Sequence, residues 1–408
     1  VGCVLAVLAC RLTPRRGGSS LLAGVVLAAV TATGLTTPLG GWGSPVWAAP
    51  PFVLGLPAAF VLLSGAVRAE LEPGVKRAGP RTVAAGAVGW VVLLFVYYAG
   101  YDLGYRADVV LVALAIMGAG MGMRAAPDAT VGPWPRPARS TYVVAVLAVV
   151  VALVGPAVTL RPLEHPKPTA DRGATLHVAA WNLRMGYGID GRFAARAVAR
   201  TLLREHVDVA LVSEIDRGWL LNGGQDQLRI LARLTGMHVA FGAAADPVWG
   251  DAILSREPLR DVDSHPFPSY GAVTGAEVLR ARFDWHGSAV TVLSTHLQPG
   301  AAGTNDTVGQ ARRLARLMRR EAELGPVIAG GDLNTAPGSR AWSALLGAGL
   351  TDALASVRPL LTSSADDPTE QIDHLFVSPE LTTSRPRTLT SELSDHLPVL
   401  LDVRVPKP

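Results

Sequence analysis

Five polar blocks in the second half of the chain hold the residue types that phosphate chemistry needs. They are WNLRMGYG at 181–188, SEID at 213–216, STHLQ at 294–298, GGDLNTAPGS at 330–339, and the pair QIDHLF at 371–376 and SDHLPV at 394–399. Carboxylate and amide oxygens suit a hard divalent cation such as Mg²⁺, and histidines carry protons near neutral pH. A metal together with His and Asp fits hydrolysis of a phosphate ester, in which positioning and charge neutralisation contribute most.

The elements predicted around these blocks mix strands and helices, with polar residues placed just after apolar strands. Strands are predicted at 176–181, 207–212, 252–254, 277–285, 288–294, 326–329, 372–377 and 399–403. Helices are predicted at 193–205, 226–235, 307–324 and 339–346. This mixture predicts an α/β sandwich whose site lies on loops at the strand ends.

In this order, the blocks resemble the signature of the DNase I-like endonuclease/exonuclease/phosphatase superfamily over nearly all of residues 175–404. GDLN and SDH are short, and each is weak evidence alone. Their order, with WN, a strand-end Glu, THL and ID between them, makes the match specific. The resemblance implies a four-layer α/β sandwich of two packed sheets flanked by helices.

The resemblance also implies a divalent cation and the residues that hold it. Glu214, assisted by Asn182, is expected to bind the metal, and Asp395 to lie in its shell. Mg²⁺ is the expected cofactor, with Mn²⁺ as an alternative. One departure is Asp251 in WGDAILS, where Asn is common in the superfamily, so the role of this position stays open.

The remaining catalytic roles are likewise implied by the resemblance. Asp332 is expected to position or activate the attacking water, and Asn334 to bind the phosphoryl group. His296 would contact the phosphate or assist the leaving group. His396 would act as a base or as a stabiliser of the transition state, oriented by Asp373.

Several residues close to the blocks are interpreted as structural. His374 follows Asp373 within an apolar strand and is read as a structural histidine. Trp219 and Trp249 are assigned to packing rather than to substrate stacking. Asp216 is left open between a supporting role beside the site and no role.

A closer resemblance is carried by four runs of sequence. NGGQDQLRILARLTGMHVAFG, WGDAILSREPL, THLQ and LNTAPGSRAW are similar to the C-terminal domain of eukaryotic proteins that remodel GPI-anchor lipids. Those proteins also carry this domain after a multispanning region. The likeness favours a membrane-associated phosphodiester substrate without establishing GPI chemistry, which a bacterium would lack.

Residues 1–160 are predicted to be a transmembrane region of about five helices plus a partial first span at 1–10. Apolar runs almost free of charge lie at 21–37, 46–67, 83–100, 108–123 and 141–160. Buried helices of a soluble protein are the alternative, which five such runs disfavour. Residues 161–174 are predicted to be a Pro-rich linker, and 175–408 the catalytic domain.

The charges between these runs alternate. Residues 11–20, 68–82 and 124–140 carry ten basic residues, whereas 38–45 and 101–107 carry one. Basic loops stay cytoplasmic, so the pattern predicts a multi-pass plasma-membrane protein with its catalytic domain outside the cytoplasm. The chain has 34 Arg and three Lys, typical of a GC-rich bacterial genome.

The catalytic half is slightly acidic. From Gly173 onward there are 23 basic and 26 acidic residues, a net charge of −3, whereas a DNA-binding domain usually has a basic footprint. The leading hypothesis is a membrane-anchored, metal-dependent phosphodiesterase with the bilayer and a phosphodiester, such as a lipid headgroup, as partners. The alternatives are an extracytoplasmic DNase- or RNase-type nuclease and a non-catalytic binding module of the same fold. The sequence leaves the oligomeric state open.

Overall fold

The computed structural model divides the chain into two compact units, Val1–Val144 and Ala145–Pro408. The structure describes residues 17–36, 54–70, 79–103, 109–110, 112–117, 162–163, 175–219, 222–246, 248–268, 270, 275–299 and 307–406. In the first unit the described helices include α1 (Gly17–Thr36), α2 (Leu56–Glu70) and α3 (Pro80–Leu103). Small and branched apolar side chains such as Ala23, Ala58 and Val61 pack α1 against α2.

The predicted multi-helix transmembrane region is wrong on this structure. Among the described residues, no helix combines the length and the apolar character that crossing a bilayer requires. A spanning helix needs about 20 consecutive apolar residues, whereas α2 has only 15, with Arg68 and Glu70 in its last turn. The predicted plasma-membrane location, and the extracytoplasmic placement that depended on five spans, fall with it. The partial span at 1–10 and the run at 141–160 lie outside the described residues.

In the second unit two mixed six-stranded sheets pack face to face. The strands are β1 (Thr175–Asn182), β2 (Val209–Asp216), β3 (His238–Asp246), β4 (Trp249–Ser255), β5 (Arg260–Phe267), β6 (Ala276–Trp285), β7 (Ser288–Thr295), β8 (Val327–Asp332), β9 (Thr351–Asp352), β10 (Asp373–Val377), β11 (Thr382–Thr388) and β12 (Val399–Arg404). The first sheet has the order β11-β12-β1-β2-β4-β3, and the second β5-β6-β7-β8-β10-β9.

Side chains alternate between two cores along the central strands, because successive residues of a strand point to opposite faces. Val178 and Leu211 lie between the sheets with Val292 and Ile328 of the second sheet. The opposite face of the first sheet, including Trp181, is covered by α4 (Ala195–Arg204) and α5 (Gln227–Thr235). The outer face of the second sheet is covered by α6 (Thr307–Ala322) and α7 (Arg340–Leu346). The predicted four-layer sandwich of this half is therefore confirmed.

Each sheet has one parallel pair at its centre. β1 pairs with β2 in the first sheet, and β7 pairs with β8 in the second. Parallel strands end at the same edge of a sheet, and ligand sites favour that edge. All five polar blocks follow or end strands of these pairs or lie beside them, so the topology collects them at one end of the sandwich.

Candidate active site

Asn182, the last residue of β1, connects the two sheets at this end. Its Nδ2 donates to Glu214 Oε1 at 3.1 Å and to Asp332 Oδ2 at 3.0 Å. Its Oδ1 accepts a hydrogen bond from the backbone N–H of Arg184. Asn182 is 1% exposed, so these bonds are shielded from water and fix the amide.

Glu214 is aimed into the site by a β-bulge. The register between β2 and β4 shifts between Val212 and Ile215, and Glu214 takes φ 54. Bulges re-aim side chains beside active sites, and a positive φ in a residue other than glycine is strain that concentrates at functional sites. Burial raises the pKa of the Glu214 carboxyl, and the neighbouring Asp332 adds to the rise.

Asp332 ends β8 after two glycines that the close packing requires. A Cβ on Gly330 would collide with the carbonyl oxygen of His374 in β10. One on Gly331, which has φ +133, would collide with the carbonyl oxygen of Thr295 at the end of β7. The sequence GGD therefore lets β8 lie deep enough for the Asp332 carboxylate, 2% exposed, to reach the site.

His396 lies between two carboxylates. Its Nδ1 is 2.8 Å from Asp373 Oδ2, and its Nε2 is 3.7 Å from Asp332 Oδ2. Burial opposes the charged imidazolium, but Asp373, then Asp332 and Asp395, overcome it and raise the pKa of His396 to about 10. At neutral pH the ring is therefore an imidazolium with Nε2–H turned towards Asp332.

The backbone around His396 is tied to β1. Trp181 Nε1 donates to the carbonyl oxygen of His396 at 2.9 Å, and Ser394 Oγ donates to the carbonyl oxygen of Asn182 at 2.7 Å. Ser394 Oγ also accepts the backbone N–H of His396. The short SDH segment is thus fastened on both sides of Asp395, the residue that faces solvent.

His296 and Asn334 form the opposite side of the site. Asn334 Nδ2 is 3.0 Å from His296 Nε2 and donates to the carbonyl oxygen of Leu297 at 2.8 Å. The Asn334 backbone N–H donates to Asp332 Oδ1, and its φ of 43 is again positive. His296 Nε2 is also 3.5 Å from Asp332 Oδ2. Both histidines thus approach the same carboxylate oxygen from different directions.

The Asp395 side chain is partly exposed, at 41%. Its Oδ2 lies 3.5 Å from Arg184 Nε, and its Oδ1 accepts from Ser394 Oγ at 3.2 Å. Its charge acts on the pKa of both Glu214 and His396, so it lies within electrostatic reach of both. The structure therefore brings all eight predicted site residues together, while their individual roles stay predictions.

A divalent cation fits the Glu214 side of the site. Burial disfavours the ionised form of Glu214 most and raises its pKa; the charges of Asp332 and Asp395 add to this effect, while His296 and the amide N–H of Asn182 oppose it. A cation would relieve the repulsion among these carboxylates, and carboxylate oxygens are the ligands that Mg²⁺ prefers. For Asn182 to be a ligand, its amide must turn so that Oδ1 replaces Nδ2 towards the carboxylates.

A second group could also hold a cation. Ligand atoms of Asp332, Asp373 and His396 lie within 4.8 Å of one another. The charges here are already balanced in part, because the raised pKa of His396 makes the ring itself the positive group. A metal ligand must be a neutral imidazole, so a metal would have to displace that proton. Glu214 and Asp395 therefore remain the predicted metal ligands.

A buried carboxyl pair beneath His296 was not predicted. Asp251 Oδ2 accepts the backbone N–H of His296 at 2.8 Å, and Glu277 Oε2 accepts from Ser264 at 2.9 Å. Burial raises the pKa of Asp251 to about 7, and burial together with Asp251 raises the pKa of Glu277 well above its usual value. The pair therefore holds at least one proton near neutral pH. A carboxylate inside an apolar strand is rare. The acidic residues within WGDAILS and GAEVLRARF are therefore the sequence signal from which this pair could have been predicted.

Three carboxylates act on the pKa of His296. Burial alone would lower the pKa of its imidazole, but Asp332, Glu214 and Asp251 together outweigh burial and raise it. His296 is 7% exposed. A buried imidazole that gains a proton readily suits a contact with an anionic phosphate oxygen.

Other residues near the site prove to be structural. Burial lowers the pKa of His374 to about 4, and its Nε2 lies 2.8 Å from the carbonyl oxygen of Thr335. Asp216 Oδ1 accepts the backbone N–H groups of Gly218 and Trp219, which makes it a turn-forming residue. Trp249 stacks on Trp219 with ring centroids 6.2 Å apart.

The Endonuclease/Exonuclease/phosphatase family profile matches residues 179–396, more than half of the chain. The chain belongs to this family, and its second unit has the DNase I-like fold.

Similar solved structures come from several organisms. An endonuclease/exonuclease/phosphatase from Beutenbergia cavernae has 22% identity and a TM-score of 0.47, over 57% of this chain and 72% of that one. A Bacteroides thetaiotaomicron mannosyl-6-phosphatase has 20% identity and a TM-score of 0.47, over 56% and 99%. A humanized D. rerio TDP2 has 16% identity and a TM-score of 0.47, over 57% and 100%. No curated protein matches the sequence, and the resemblance to GPI-anchor remodelling proteins stays a prediction.

Proposed function

We propose that the second unit hydrolyses a phosphoester bond, specifically a phosphodiester, with Mg²⁺ or Mn²⁺ as its cofactor. The observation that carries the proposal is the array Asp373–His396–Asp332, with His396 Nδ1 2.8 Å from one carboxylate and Nε2 3.7 Å from the other. Membership of a family of phosphoester hydrolases supports the same reaction class.

The array suggests which group moves the proton. The raised pKa of His396 keeps its ring charged, so it acts as a hydrogen-bond donor that stabilises the transition state rather than as a base. Asp332 accepts the proton of the attacking water. On substrate binding, Asn334 Nδ2 would donate to a phosphoryl oxygen in place of its contact with His296 Nε2 at 3.0 Å, and a protonated His296 would donate to another. Asp373 fixes the ring and its charge.

Glu214 and Asp395, with Asn182 if its amide turns, would hold the divalent cation. When bound, the cation supplies charge neutralisation for the phosphoryl oxygens. A lipid-borne substrate was expected because of the membrane region, and we do not retain it. The slight negative charge from Gly173 onward favours a small phosphodiester over a long nucleic acid.

The test is hydrolysis of bis(p-nitrophenyl) phosphate by the full chain, with EDTA and then with Mg²⁺ or Mn²⁺ added. We expect metal-dependent turnover that Asp332→Ala reduces by about 10²- to 10⁴-fold. A matched control is His177→Ala, because His177 Nδ1 also pairs with a carboxylate, Asp402, at 2.9 Å but belongs to no polar block. Absence of turnover in the folded wild-type chain would instead support a binding module, and rapid plasmid cleavage without turnover of the small diester would support a nuclease.

A further inference from the structure

A cavity of about 640 Å³ adjoins the catalytic residues. Asn334, which contacts His296, forms one part of its wall. The rest of the wall is rich in rigid and apolar residues, including Pro299, Pro337 and Leu361, with Arg358, Thr369 and Gln371 among them. The volume lies in the range of small-molecule sites, so a substituent of the phosphoester could occupy it.

Gln371 contributes a donor whose orientation is fixed. Its Oε1 accepts the backbone N–H of Leu360 at 2.9 Å, which identifies the other end of the amide as Nε2. The residue is 4% exposed, and Nε2 has no hydrogen-bond partner among the described residues. A buried donor without a partner costs about 1–3 kcal/mol, so an acceptor brought into this wall would be stabilising.

Arg358 contributes a second fixed donor. Its Nε and Nη2 bind the two carboxylate oxygens of Asp352 at 2.6 and 2.7 Å. The guanidinium lies over the Trp342 ring, 4.4 Å from the centroid. Within the described part of the chain its Nη1 is buried and has no partner. The side chain is therefore locked, with Nη1 as its one unpaired buried donor and the residue itself in the cavity wall.

We propose that this cavity binds a neutral, oxygen-rich substituent of the substrate, such as a sugar or another polyol, through Gln371 and Arg358. Asp352 already neutralises the Arg358 charge, and the Glu370 carboxylate also lines the cavity. A second phosphate in the cavity would be repelled by this carboxylate, with no uncompensated cation to offset the repulsion. The hydroxyl oxygens of a sugar can instead accept hydrogen bonds from N–H groups, and the apolar faces of its ring can pack against proline. The inference rests on the proposed function, because it treats Asn334 as the phosphoryl contact.

The test measures binding to the full chain by calorimetry, with three phosphate probes in the presence of Mg²⁺. Glucose 6-phosphate carries the hydroxyls, ethyl phosphate lacks them, and propane-1,3-diyl bisphosphate carries a second anion instead. We expect glucose 6-phosphate to bind at least about tenfold more tightly than ethyl phosphate, and Gln371→Leu to remove most of that ratio; about tenfold corresponds to 1.4 kcal/mol. Tightest binding of the bisphosphate, or an unchanged ratio in Gln371→Leu, overturns the proposal.

A matched control is Gln227→Leu. Gln227 is also fully buried, with Oε1 on the backbone N–H of Asp216 and Nε2 without a partner among the described residues, but it does not line the cavity. This variant should keep the affinity ratio. If Gln371→Leu fails to fold, Gln371→Glu keeps the bond to Leu360 and removes the donor, with the same expected loss. If the wild-type chain does not hydrolyse bis(p-nitrophenyl) phosphate, the proposed function is overturned. If it does, but glucose 6-phosphate binds no more tightly than ethyl phosphate, only the proposed subsite is overturned.

Discussion

The two sheets have the same layout but contribute different chemistry. Each has a central parallel pair, yet the first sheet supplies Asn182 and Glu214, whereas the second supplies His296, Asp332 and Asp373. The carboxylates of the second sheet lie beside His396, whose raised pKa of about 10 offsets part of their charge, although His396 itself comes from the segment that leads into β12 of the first sheet. Glu214 has the Asn182 amide as its hydrogen-bond partner, and the charge of His296 also acts on its pKa. We infer that the carboxylates of the second sheet, together with His396, handle protons, while Glu214 of the first sheet needs a cation from outside.

The largest effect expected is on the proton side. His396→Ala should lower kcat by about 10³-fold, because the charged donor between Asp373 and Asp332 disappears. Turnover of bis(p-nitrophenyl) phosphate measures this, with melting temperature to confirm folding. A loss of less than about tenfold would mean that the Asp373–His396–Asp332 array does not carry the chemistry.

At the proposed cation site, Glu214→Gln should weaken metal binding. The Mg²⁺ concentration for half-maximal activity should rise by at least about tenfold, since a charged ligand is lost. Metal titration of activity and of binding gives the value. Glu205→Gln is the control, because Glu205 Oε2 pairs with Arg387 away from the site. An unchanged metal requirement would remove the distinction between the sheets.

The Asp373→Asn variant tests how the His396 charge is maintained. His396 is protonated below its raised pKa of about 10, so its contribution is lost as pH rises through that value. Without the Asp373 charge the pKa should fall, and the alkaline limb of the kcat profile should move down by at least about one unit. The control is Asp402→Asn, which alters the His177–Asp402 pair and should leave the alkaline limb of the kcat profile in place. An unmoved limb in Asp373→Asn would mean that the Asp373–His396 pair is only structural.

The last prediction concerns stability rather than turnover. Asp251 has a folded pKa of about 7 against about 4 when unfolded, so the folded state holds an extra proton between those values. The free energy of unfolding should therefore fall as pH rises across this window, by up to about 1.4 kcal/mol per pH unit. Urea unfolding from pH 4 to 8 should give a flatter profile for Asp251→Asn/Glu277→Gln. The control variant Asp284→Asn, at an exposed site, should keep the wild-type dependence of the unfolding free energy on pH. The same dependence in the wild type, the control and the double variant would contradict a proton held by the Asp251–Glu277 pair.

The strands that the sequence did not predict are the edges of the sheets. β3, β5, β9 and β11 each lie at the end of a strand order. Edge strands are exposed, and charged or polar residues protect them from pairing with other chains; β5, for example, is largely exposed over RDVDSH. The central strands were predicted because they are buried on both faces and read as apolar runs.

The site was predictable for a related reason. Its residues follow the most apolar strands, and a polar residue at such a strand end has few structural explanations. Gln371 lies in the QIDHLF block but was given no role, and Arg358 lies outside every block; only the folded chain brings them to one cavity. The membrane prediction failed because five apolar runs within 1–160 were interpreted as spanning helices, whereas no described helix combines the required length with the required apolar character.

The bonds that fasten the SDH segment have a consequence for biosynthesis. The residues that these bonds join are separated by 212 and by 215 positions in the chain. Contacts between such distant residues form late in folding, because the intervening loop must first close. His396 is thus seated only after nearly the whole domain has left the ribosome. A nascent chain that ends before residue 394 would lack both His396 and β12, so the proposed hydrolysis could begin only after this last part of the domain has been made.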